Sequence, residues 1–367
     1  MRNRALIRLW LGFVLVTILA LVIVGGATRL TDSGLSITEW KPIHGVIPPL
    51  SEAEWQEELE LYRQIPQYQQ INKGMSLEAF KVIYWWEWAH RLLARSVGVV
   101  FALPLIVLWA SGRIEPRLRW PLLGALALGG LQGFIGWWMV TSGLSERVSV
   151  SHYRLATHLT LACLIVASLV WIREGLKPGP QTQKDNDRAP RSMTWFAAIL
   201  SSLILFQIYL GGLVAGLDAG YAYNTWPLMD GALVPQNLFV LDPAWRNFFD
   251  NPKLVQFTHR LVAYSVWIAT ACYALLAWHQ ARQGGHARTA WRALVLFALV
   301  SAQAVIGIVT LVLVVPISWG LLHQGGAVIV LGYAMANWRW LVGPYALPFQ
   351  QNGRQTNADR QAGKTTQ

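Results

Sequence analysis

Eight long apolar segments constrain this 367-residue chain more than any other feature of its sequence. Each has the roughly 20 residues that an α-helix needs to cross about 30 Å of hydrocarbon. Only 13% of the residues are charged, well below the share of a typical soluble domain. The sequence therefore predicts an all-α polytopic membrane protein. Its predicted spans are residues 9–28, 81–110, 119–141, 150–173, 193–216, 253–281, 289–314 and 319–341.

The charged residues predict an orientation for these spans. Lys and Arg are concentrated in the N-terminus, in the short loops 111–118, 174–192 and 282–288, and in the C-terminal tail. Because loops rich in Lys and Arg stay on the cytoplasmic side, both termini are expected inside and the long loops 29–80 and 217–252 outside. The net charge of +11 is thus a signal of topology, and nucleic-acid binding is not indicated.

The first long loop contains a predicted helix of its own. Residues 51–64 have the period of a short amphipathic helix with Ser51 as its N-cap. We expect this helix on the outer surface of the membrane. At the other end of the chain, the polar tail from Gln350 is predicted to be disordered.

The cysteines and the N-terminus indicate the compartment. Cys163 and Cys272 both lie in apolar segments, and no CxxC motif is present, so neither a disulfide framework nor a thiolate metal site is expected. The first apolar run is too long for a signal-peptide core and lacks a convincing cleavage site. We interpret it as a retained helix. Too few residues precede it for a mitochondrial transit peptide, which favours a bacterial protein, in the inner membrane, or an already processed chain.

The two halves of the chain repeat one another. Each half has an even number of predicted spans, so two tandem four-helix bundles would share one orientation, related by a pseudo-twofold axis along the membrane normal. The predicted divisions are a first unit at 1–175, a cytoplasmic linker at 176–192, a second unit at 193–342 and a polar tail at 343–367. The motifs that recur in order are Gly25-Gly26 to Pro49 with Gly211-Gly212 to Pro235, His90-Arg91-Leu92 with His259-Arg260-Leu261, Gln132-x-x-Ile135-Gly136 with Gln303-x-x-Ile306-Gly307, and His158 with His323.

Four histidines lie at similar depth near the outer ends of predicted spans: His90, His158, His259 and His323. A lone intramembrane histidine is often a packing residue that is hydrogen-bonded across a bundle, but a duplicated pair needs a further explanation. Imidazole binds iron, copper and zinc, and zinc would usually require four ligands. Two pairs of imidazoles without a thiolate best suit haem held between facing helices, with copper left as an alternative.

Other residues near these histidines have two interpretations each. Arg91 and Arg260 directly follow histidines, and they either bind haem propionates or extend to the outer interface. His152 precedes His158 by six residues and is interpreted as a supporting or propionate-binding residue. The weaker candidates for propionate binding are Arg29, Arg95 and Arg154, and the tryptophans at 85, 86 and 88 either form an aromatic belt or stack on a macrocycle.

One acidic residue distinguishes the two halves. Glu87 precedes His90 by three residues, which puts both on one helix face, and the second half has Gln256 at the matching position. A buried carboxylate beside a metal ligand can move protons or stabilise a cationic intermediate. The alternative is a salt bridge from Glu87 to Arg91 or Arg95. The asymmetry predicts chemistry in the first half and electron transfer in the second.

In combination, these motifs resemble the haem A synthase family over about residues 9–341. The likeness rests on Glu87-Trp88-Ala89-His90-Arg91, its echo His259-Arg260, the histidines 158 and 323, and the two long outer loops. The first outer loop has no cysteine, so the chain resembles the cysteine-free branch. The resemblance implies oxidation of the C8 methyl of haem O to a formyl group, which yields haem A for cytochrome oxidase.

The resemblance also implies roles for individual residues. His90 and His158 would face the substrate haem O, Glu87 would serve its oxidation, and His259 and His323 would ligate the iron of a haem b cofactor. Haem O synthase and cytochrome oxidase assembly factors are the candidate protein partners, and an oligomer is left open. The alternatives are a di-haem cytochrome b-type electron carrier and a non-catalytic haem chaperone. The difference between Glu87 and Gln256 favours the enzyme over the carrier, whose two sites should be similar.

Overall fold

The computed structural model describes residues 2–40, 44–177, 190–283 and 286–345. These residues form eleven α-helices joined by loops and short 3₁₀ turns, with one isolated β-bridge between Met229 and Ala232 and no strand within the described ranges. Most of the predicted linker 176–192 and most of the tail 343–367 lie outside the described residues. The all-α prediction is confirmed.

Eight helices are at least 24 residues long, and they correspond to the eight predicted spans. Seven of them are long and apolar enough to cross a membrane. The last, α11, has the length but not the same apolar character over the described residues. The eight are α1 Arg2–Leu30, α4 Leu77–Ala110, α5 Pro116–Thr141, α6 His152–Gly175, α7 Arg191–Gly216, α9 Pro252–Arg282, α10 Ala287–Val312 and α11 Ile317–Val342.

Side-chain caps decide where several of these helices begin. Ser76 accepts a hydrogen bond from the backbone N–H of Ala79 at 3.2 Å and starts α4. Asn251 accepts from the N–H of Lys253 at 3.0 Å and starts α9. Because a cap pairs N–H groups that have no partner within the helix, it stabilises a start outside the apolar run. For this reason α4 begins four residues before the predicted span at 81.

The helix predicted in the first outer loop is present as α2, Glu52–Arg63. Ser51 caps it in a capping box: its side chain accepts from the N–H of Glu54, whose carboxylate accepts from the N–H of Ser51. The predicted period and cap are confirmed. The inner face of α2 packs on the start of α4 through Trp55, Leu59, Tyr62, Phe80 and Tyr84, which form one apolar cluster with their neighbours. A short helix, α3 Pro66–Gln70, follows.

The helices α1, α6, α7 and α11 form the centre of the bundle. The helix α1 packs on α4, α6 and α11, whereas α7 packs on α6, α9 and α11. The main apolar core lies between these helices and includes fully buried side chains such as Leu11, Leu169 and Leu331. The remaining pairs, α4 with α5 and α9 with α10, therefore lie on the outside of this central layer. The short helix α8, Asn247–Asp250, directly precedes α9.

An ion-pair cluster fastens the N-terminus to the turn before α5. Arg4 donates to both oxygens of the Glu115 carboxylate, at 2.5 and 3.0 Å, and Arg117 donates to the same group at 2.6 and 2.9 Å. Partial burial opposes ionisation of Glu115, but the hydrogen bonds from the two guanidinium groups outweigh it and hold the pKa of Glu115 below its ordinary value. The Glu115 carboxylate is thus a charged link between α1 and α5.

Candidate functional site

Each of the four intramembrane histidines packs against a glycine on a neighbouring helix. A Cβ atom added to Gly25 would lie 2.7 Å from Cε1 of His90, and one added to Gly136 would lie 3.0 Å from Cε1 of His158. The corresponding contacts in the second half are Gly211 with His259 at 3.3 Å and Gly307 with His323 at 2.6 Å. An added methyl group would clash with the ring at Gly25 and Gly307 and would be tightly packed at Gly136 and Gly211. These glycines recur at matched positions in the two halves, but their contact with the histidines follows only from the packing of the helices.

The histidines form two pairs. His90 and His158 are close enough to interact electrostatically, and so are His259 and His323. All four side chains are partly buried between helices. Among the described residues, no group of three or more His, Cys, Asp or Glu side chains is placed to hold a metal ion. The donor sets are therefore pairs of imidazoles, too few for a structural zinc site.

Three of the four histidines are held by a glutamine that the sequence analysis did not identify as functional. The side-chain amide of Gln132 lies 3.2 Å from both ring nitrogens of His158 and donates to its carbonyl at 3.0 Å. The Gln303 amide approaches Nδ1 of His323 at 3.0 Å and donates to its carbonyl at 2.7 Å. Gln207 on α7 makes the same contacts to His259, at 3.1, 3.2 and 3.0 Å. These amides orient the imidazole rings.

His90 is the exception. By the alignment of the two halves, Leu21 occupies the position of Gln207, so α1 offers no amide to this histidine. The Nδ1 atom of His90 is buried and has no hydrogen-bond partner in the described part of the chain. A buried polar atom without a partner costs free energy and often indicates an absent ligand or water. His90 is thus the least restrained of the four imidazoles.

Glu87 lies beside His90 in α4 and is buried, with 2% of its surface exposed. Its Oε2 accepts from the hydroxyl of Ser36 and from the backbone N–H of Ile37, both at 2.8 Å. Its Oε1 accepts two hydrogen bonds from Arg91, at 2.7 and 3.1 Å. The carboxylate therefore fastens the first outer loop to α4. It does so directly above the histidine that has no glutamine.

Gln256 occupies the matching position in α9, but its side chain donates hydrogen bonds to the loop, whereas Glu87 accepts them. Its amide nitrogen donates to the carbonyls of Ala219 and Tyr223 at 2.8 and 3.3 Å, and its Oε1 accepts from Arg260 at 2.9 Å. Both halves thus tie an outer loop to the histidine-bearing helix. Only the first half does so with a charged acceptor.

The two arginines next to the histidines bind loop carbonyls. Arg91 donates to the carbonyls of Ile37 and Glu39 at 2.7 and 3.2 Å, and Arg260 donates to those of Thr225 and Tyr223 at 2.9 Å each. The salt bridge from Glu87 to Arg91, which the sequence analysis weighed as an alternative, is present at 2.7 Å. The guanidinium groups accordingly hold the outer loops over both histidine pairs.

His152 lies away from the first pair and links the two halves. Its Nε2 lies 3.1 Å from Oδ1 of Asp250. The same oxygen accepts from the hydroxyl of Tyr153 at 2.7 Å, and Oδ2 of Asp250 accepts from Arg246 at 3.1 Å. Partial burial disfavours the charge on Asp250, but these hydrogen bonds outweigh it and lower its pKa. Because Asp250 precedes the cap of α9, this cluster joins α6 to the helix of the second pair.

The weaker arginine candidates have other contacts. Arg29 bridges the two halves through Asp32 at 3.1 Å and Asp218 at 2.8 Å. Arg154 donates to the Trp138 carbonyl and lies 4.3 Å from the centre of its ring. Arg95 is partly buried in α4. The tryptophans 85 and 86 are exposed on the outer part of α4, where an aromatic belt would lie, and Trp88 packs edge-on against Trp85.

The fold and the site together define a class of protein: a polytopic helical membrane protein with two pairs of partly buried histidines between its helices. Comparison with known proteins identifies the family. A family model described as cytochrome oxidase assembly protein matches residues 8–335. The chain therefore belongs to the cytochrome oxidase assembly protein family.

Individual relatives are similar over nearly the whole chain. A Rhizobium etli protein named heme A synthase is 62% identical over 345 residues, which cover 94% of this chain and 92% of the relative. A protein of the same name from Sinorhizobium fredii is 62% identical over 348 residues, with the same coverage. The resemblance to the haem A synthase family, inferred from the motifs, is confirmed.

Proposed function

We propose that this protein is a haem A synthase that oxidises the C8 methyl of haem O to a formyl group, supplying haem A for cytochrome oxidase. The observation that carries this proposal is a pair of glycine-packed histidines in each half, with a buried carboxylate beside the first pair only. The names of the relatives support it. Haem O and haem A are the proposed ligands, with haem O synthase and cytochrome oxidase assembly factors as proposed partners.

The residues present fit haem better than a bare metal ion. Each pair offers two partly buried imidazoles, and each ring lies against a glycine of a neighbouring helix. The unpartnered acceptors Oε1 of Gln132, Gln207 and Gln303, together with Nδ1 of His90, are buried polar atoms for which the described residues provide no partner. Iron between two axial imidazoles is a common form of haem ligation in helical bundles.

We assign different roles to the two pairs. His259 and His323, each held by a glutamine, would ligate the iron of a resident haem b, which would supply an electron carrier next to the substrate site. His90 and His158 would contact the substrate haem O iron. The lack of an amide on His90 supports this division, because a site that exchanges substrate for product needs a less restrained ligand than one that retains its cofactor.

Glu87 is the proposed catalytic residue of the first site. Oxidation at the methyl carbon breaks C–H bonds, and a carboxylate near the reacting edge can accept a proton or stabilise positive charge there. Its contacts with Ser36, Ile37 and Arg91 also give it a positioning role, because they keep the outer loop closed over the site and limit entry of water. Arg91 and Arg260 would stabilise both loops.

The proposed arrangement in the membrane has eight spans, including α11, in two four-helix units related by a pseudo-twofold axis along the membrane normal. Matching contacts in the two halves support it: Gly25 and Gly211 pack on His90 and His259, and Gly136 and Gly307 pack on His158 and His323. Both termini would lie in the cytoplasm of a bacterium, with the chain in the inner membrane. Under this topology, the histidine pairs lie near the outer face.

Haem analysis tests the function directly. The chain is expressed in cells that make haem O but not haem A, and in matched cells without a haem O source, and the extracted haems are separated by chromatography. We expect haem A only where haem O is made, and tightly held haem b in both. Two equivalents of haem b with no haem A would favour the electron carrier. Bound haem O that is never converted would favour the chaperone.

A further inference from the structure

The two halves differ in how their peripheral helices meet. The helices α9 and α10 are in close contact over much of their surfaces, whereas α4 and α5 approach each other closely at only a few positions. In α5 the buried residues end at Ala125, and the outer half of the helix has none. In α10 they continue to Val300 and Thr310. The first half is therefore open between the outer parts of α4 and α5.

The inner ends of α4 and α5 are closed. Leu105 and Leu108 of α4 are buried in the same core cluster as Leu118 and Leu122 of α5. The opening therefore faces the outer half of the membrane, at the level of Gln132 and the histidine pair. We call the space between residues 94–102 of α4 and 126–133 of α5 the lateral opening.

In the second half, a tryptophan that is 42% exposed bridges the corresponding pair of helices. Trp267 of α9 donates from Nε1 to Oγ of Ser301 on α10 at 3.0 Å, and its ring centroid lies 5.4 Å from that of Phe297. The alignment through the histidines puts Gly98 at the position of Trp267, and the alignment through the glutamines puts Gly130 at that of Ser301. An indole and its hydrogen-bond partner are thus replaced by two glycines.

The glycines of the lateral opening border empty space. A Cβ atom added to Gly98, Gly129, Gly130 or Gly133 would have no heavy atom of a neighbouring element within 4 Å. Their counterparts in the second half are Trp267, Val300, Ser301 and Ala304. Two buried polar atoms at the same level, Nδ1 of His90 and Oε1 of Gln132, have no hydrogen-bond partner in the described chain, as expected beside a site for a ligand.

We propose that the lateral opening is the route by which haem O enters from the lipid and haem A leaves, with the isoprenoid tail lying against Gly98, Gly129, Gly130 and Gly133. This inference rests on the proposed function. A substrate with a long apolar tail is dissolved in the bilayer, so a gap between lipid-facing helices gives it a path that avoids water. Trp267 closes the same path in the second half and makes its haem a retained cofactor. Trp267 and Gly98 thus determine which site exchanges its ligand.

Filling the opening tests the proposal. In the series Gly98→Ala, Gly98→Leu and Gly98→Trp, haem A formation is expected to fall as the side chain grows, by about tenfold or more for tryptophan, the order of loss when an apolar group is sterically excluded from a site. The haem O that co-purifies with the protein should fall in parallel. The matched control is Leu103→Trp, which puts the same bulk on a residue of α4 that is 58% exposed and lies outside the opening.

The low-spin haem b spectrum separates a blocked opening from a misfolded protein. We expect it to be unchanged throughout the series. Wild-type haem A and haem O levels in Gly98→Trp, with haem b intact, would overturn the proposal and leave the proposed function standing. Absence of haem A from the wild-type protein in cells that make haem O would instead contradict the proposed function itself. A parallel loss of haem b and haem A at each step would show that Gly98 serves the fold and would also overturn the proposal.

The reverse substitution tests the second half. Trp267→Gly removes the hydrogen bond to Ser301 and the contact with Phe297, so haem b should transfer to apomyoglobin about tenfold faster or more than from the wild type. Trp195→Gly is the control, because Trp195 is 70% exposed on α7 and lies outside the opening. Equal transfer rates for Trp267→Gly and wild type would refute the role of Trp267.

Discussion

Arg91 donates two hydrogen bonds, at 2.7 and 3.1 Å, to a single carboxylate oxygen of Glu87, one turn earlier in α4. The other carboxylate oxygen binds the first outer loop. A buried carboxylate that accepts four hydrogen bonds is held in one orientation. The Glu87 side chain thus has two functions in the structure. It provides the carboxylate that distinguishes the first half from the second, and it binds the first outer loop to α4 near His90.

Glu87→Gln should retain haem b and lose haem A formation by about a hundredfold, the order of effect of removing a group that acts in proton transfer. Glutamine keeps the size of the side chain and an acceptor for Arg91, as Gln256 accepts from Arg260 at the matching position, but it loses the hydrogen bond from the N–H of Ile37. The measurement is the ratio of haem A to haem O in extracts. Ser36→Ala is the matched control: it removes one loop contact and keeps the charge, and we expect only a small loss. Unimpaired haem A in Glu87→Gln would rule out a catalytic role.

His259→Ala and His323→Ala should each abolish the low-spin haem b spectrum of the purified protein, because one imidazole cannot supply both axial ligands. His279→Ala is the control, since His279 lies in the last turn of α9 and bonds to Gln283. Retention of an unaltered low-spin spectrum in either variant would contradict the assignment of that histidine as a ligand.

Gly307→Ala should displace His323 and weaken haem b binding, because the added methyl group would lie 2.6 Å from Cε1 of the ring. Gly124→Ala adds the same atom where no heavy atom lies within 4 Å and should leave haem b unchanged, with a small gain in stability from helix propensity. The haem b content per protein and the thermal unfolding midpoint distinguish the two. Equal haem contents in Gly307→Ala and wild type would argue against this packing.

Acid should weaken the link between Arg4 and Glu115. The pKa of Glu115 in the folded protein lies below its ordinary value. The carboxylate therefore stabilises the fold at a pH above its pKa in the unfolded chain, and this contribution is lost as the pH falls through its pKa in the folded protein. We expect the unfolding temperature of Glu115→Gln to lie below that of the wild type near neutral pH and to converge with it in acid. A difference in unfolding temperature that stays constant between neutral and acid pH would mean that the ionised pair contributes no pH-dependent stability.

Much of the fold followed from local sequence properties. An apolar run of sufficient length predicts a helix because backbone groups in lipid must pair within the segment, and all eight predicted spans are helical. The boundaries were less accurate. The first predicted span begins at residue 9 and the last at residue 319, whereas α1 begins at Arg2 and α11 at Ile317. Hydropathy detects the apolar part of a helix, and caps and polar turns extend it beyond that part.

The candidate site was predictable where it depended on the repeat and on helical spacing. The pairing of Glu87 with Arg91 was among the alternatives because residues four apart share a helix face. The bond from Gln207 to His259 was not foreseen, since 52 residues separate them and the first half has Leu21 at the matching position. The contact of Ser36 with Glu87 was equally hidden, because it depends on how a long loop folds back.

The sequence alone determined the eight helices, the recurrence of the histidines in both halves and the single glutamate that breaks the repeat, because each follows from a local pattern or from matched positions. Only the tertiary structure decided which glycine receives each imidazole, which glutamine holds it and where the bundle stays open. These depend on which faces of distant helices meet. A glycine such as Gly98 looks the same in the sequence whether it admits a neighbouring ring or borders an opening to lipid, and only packing distinguishes the two.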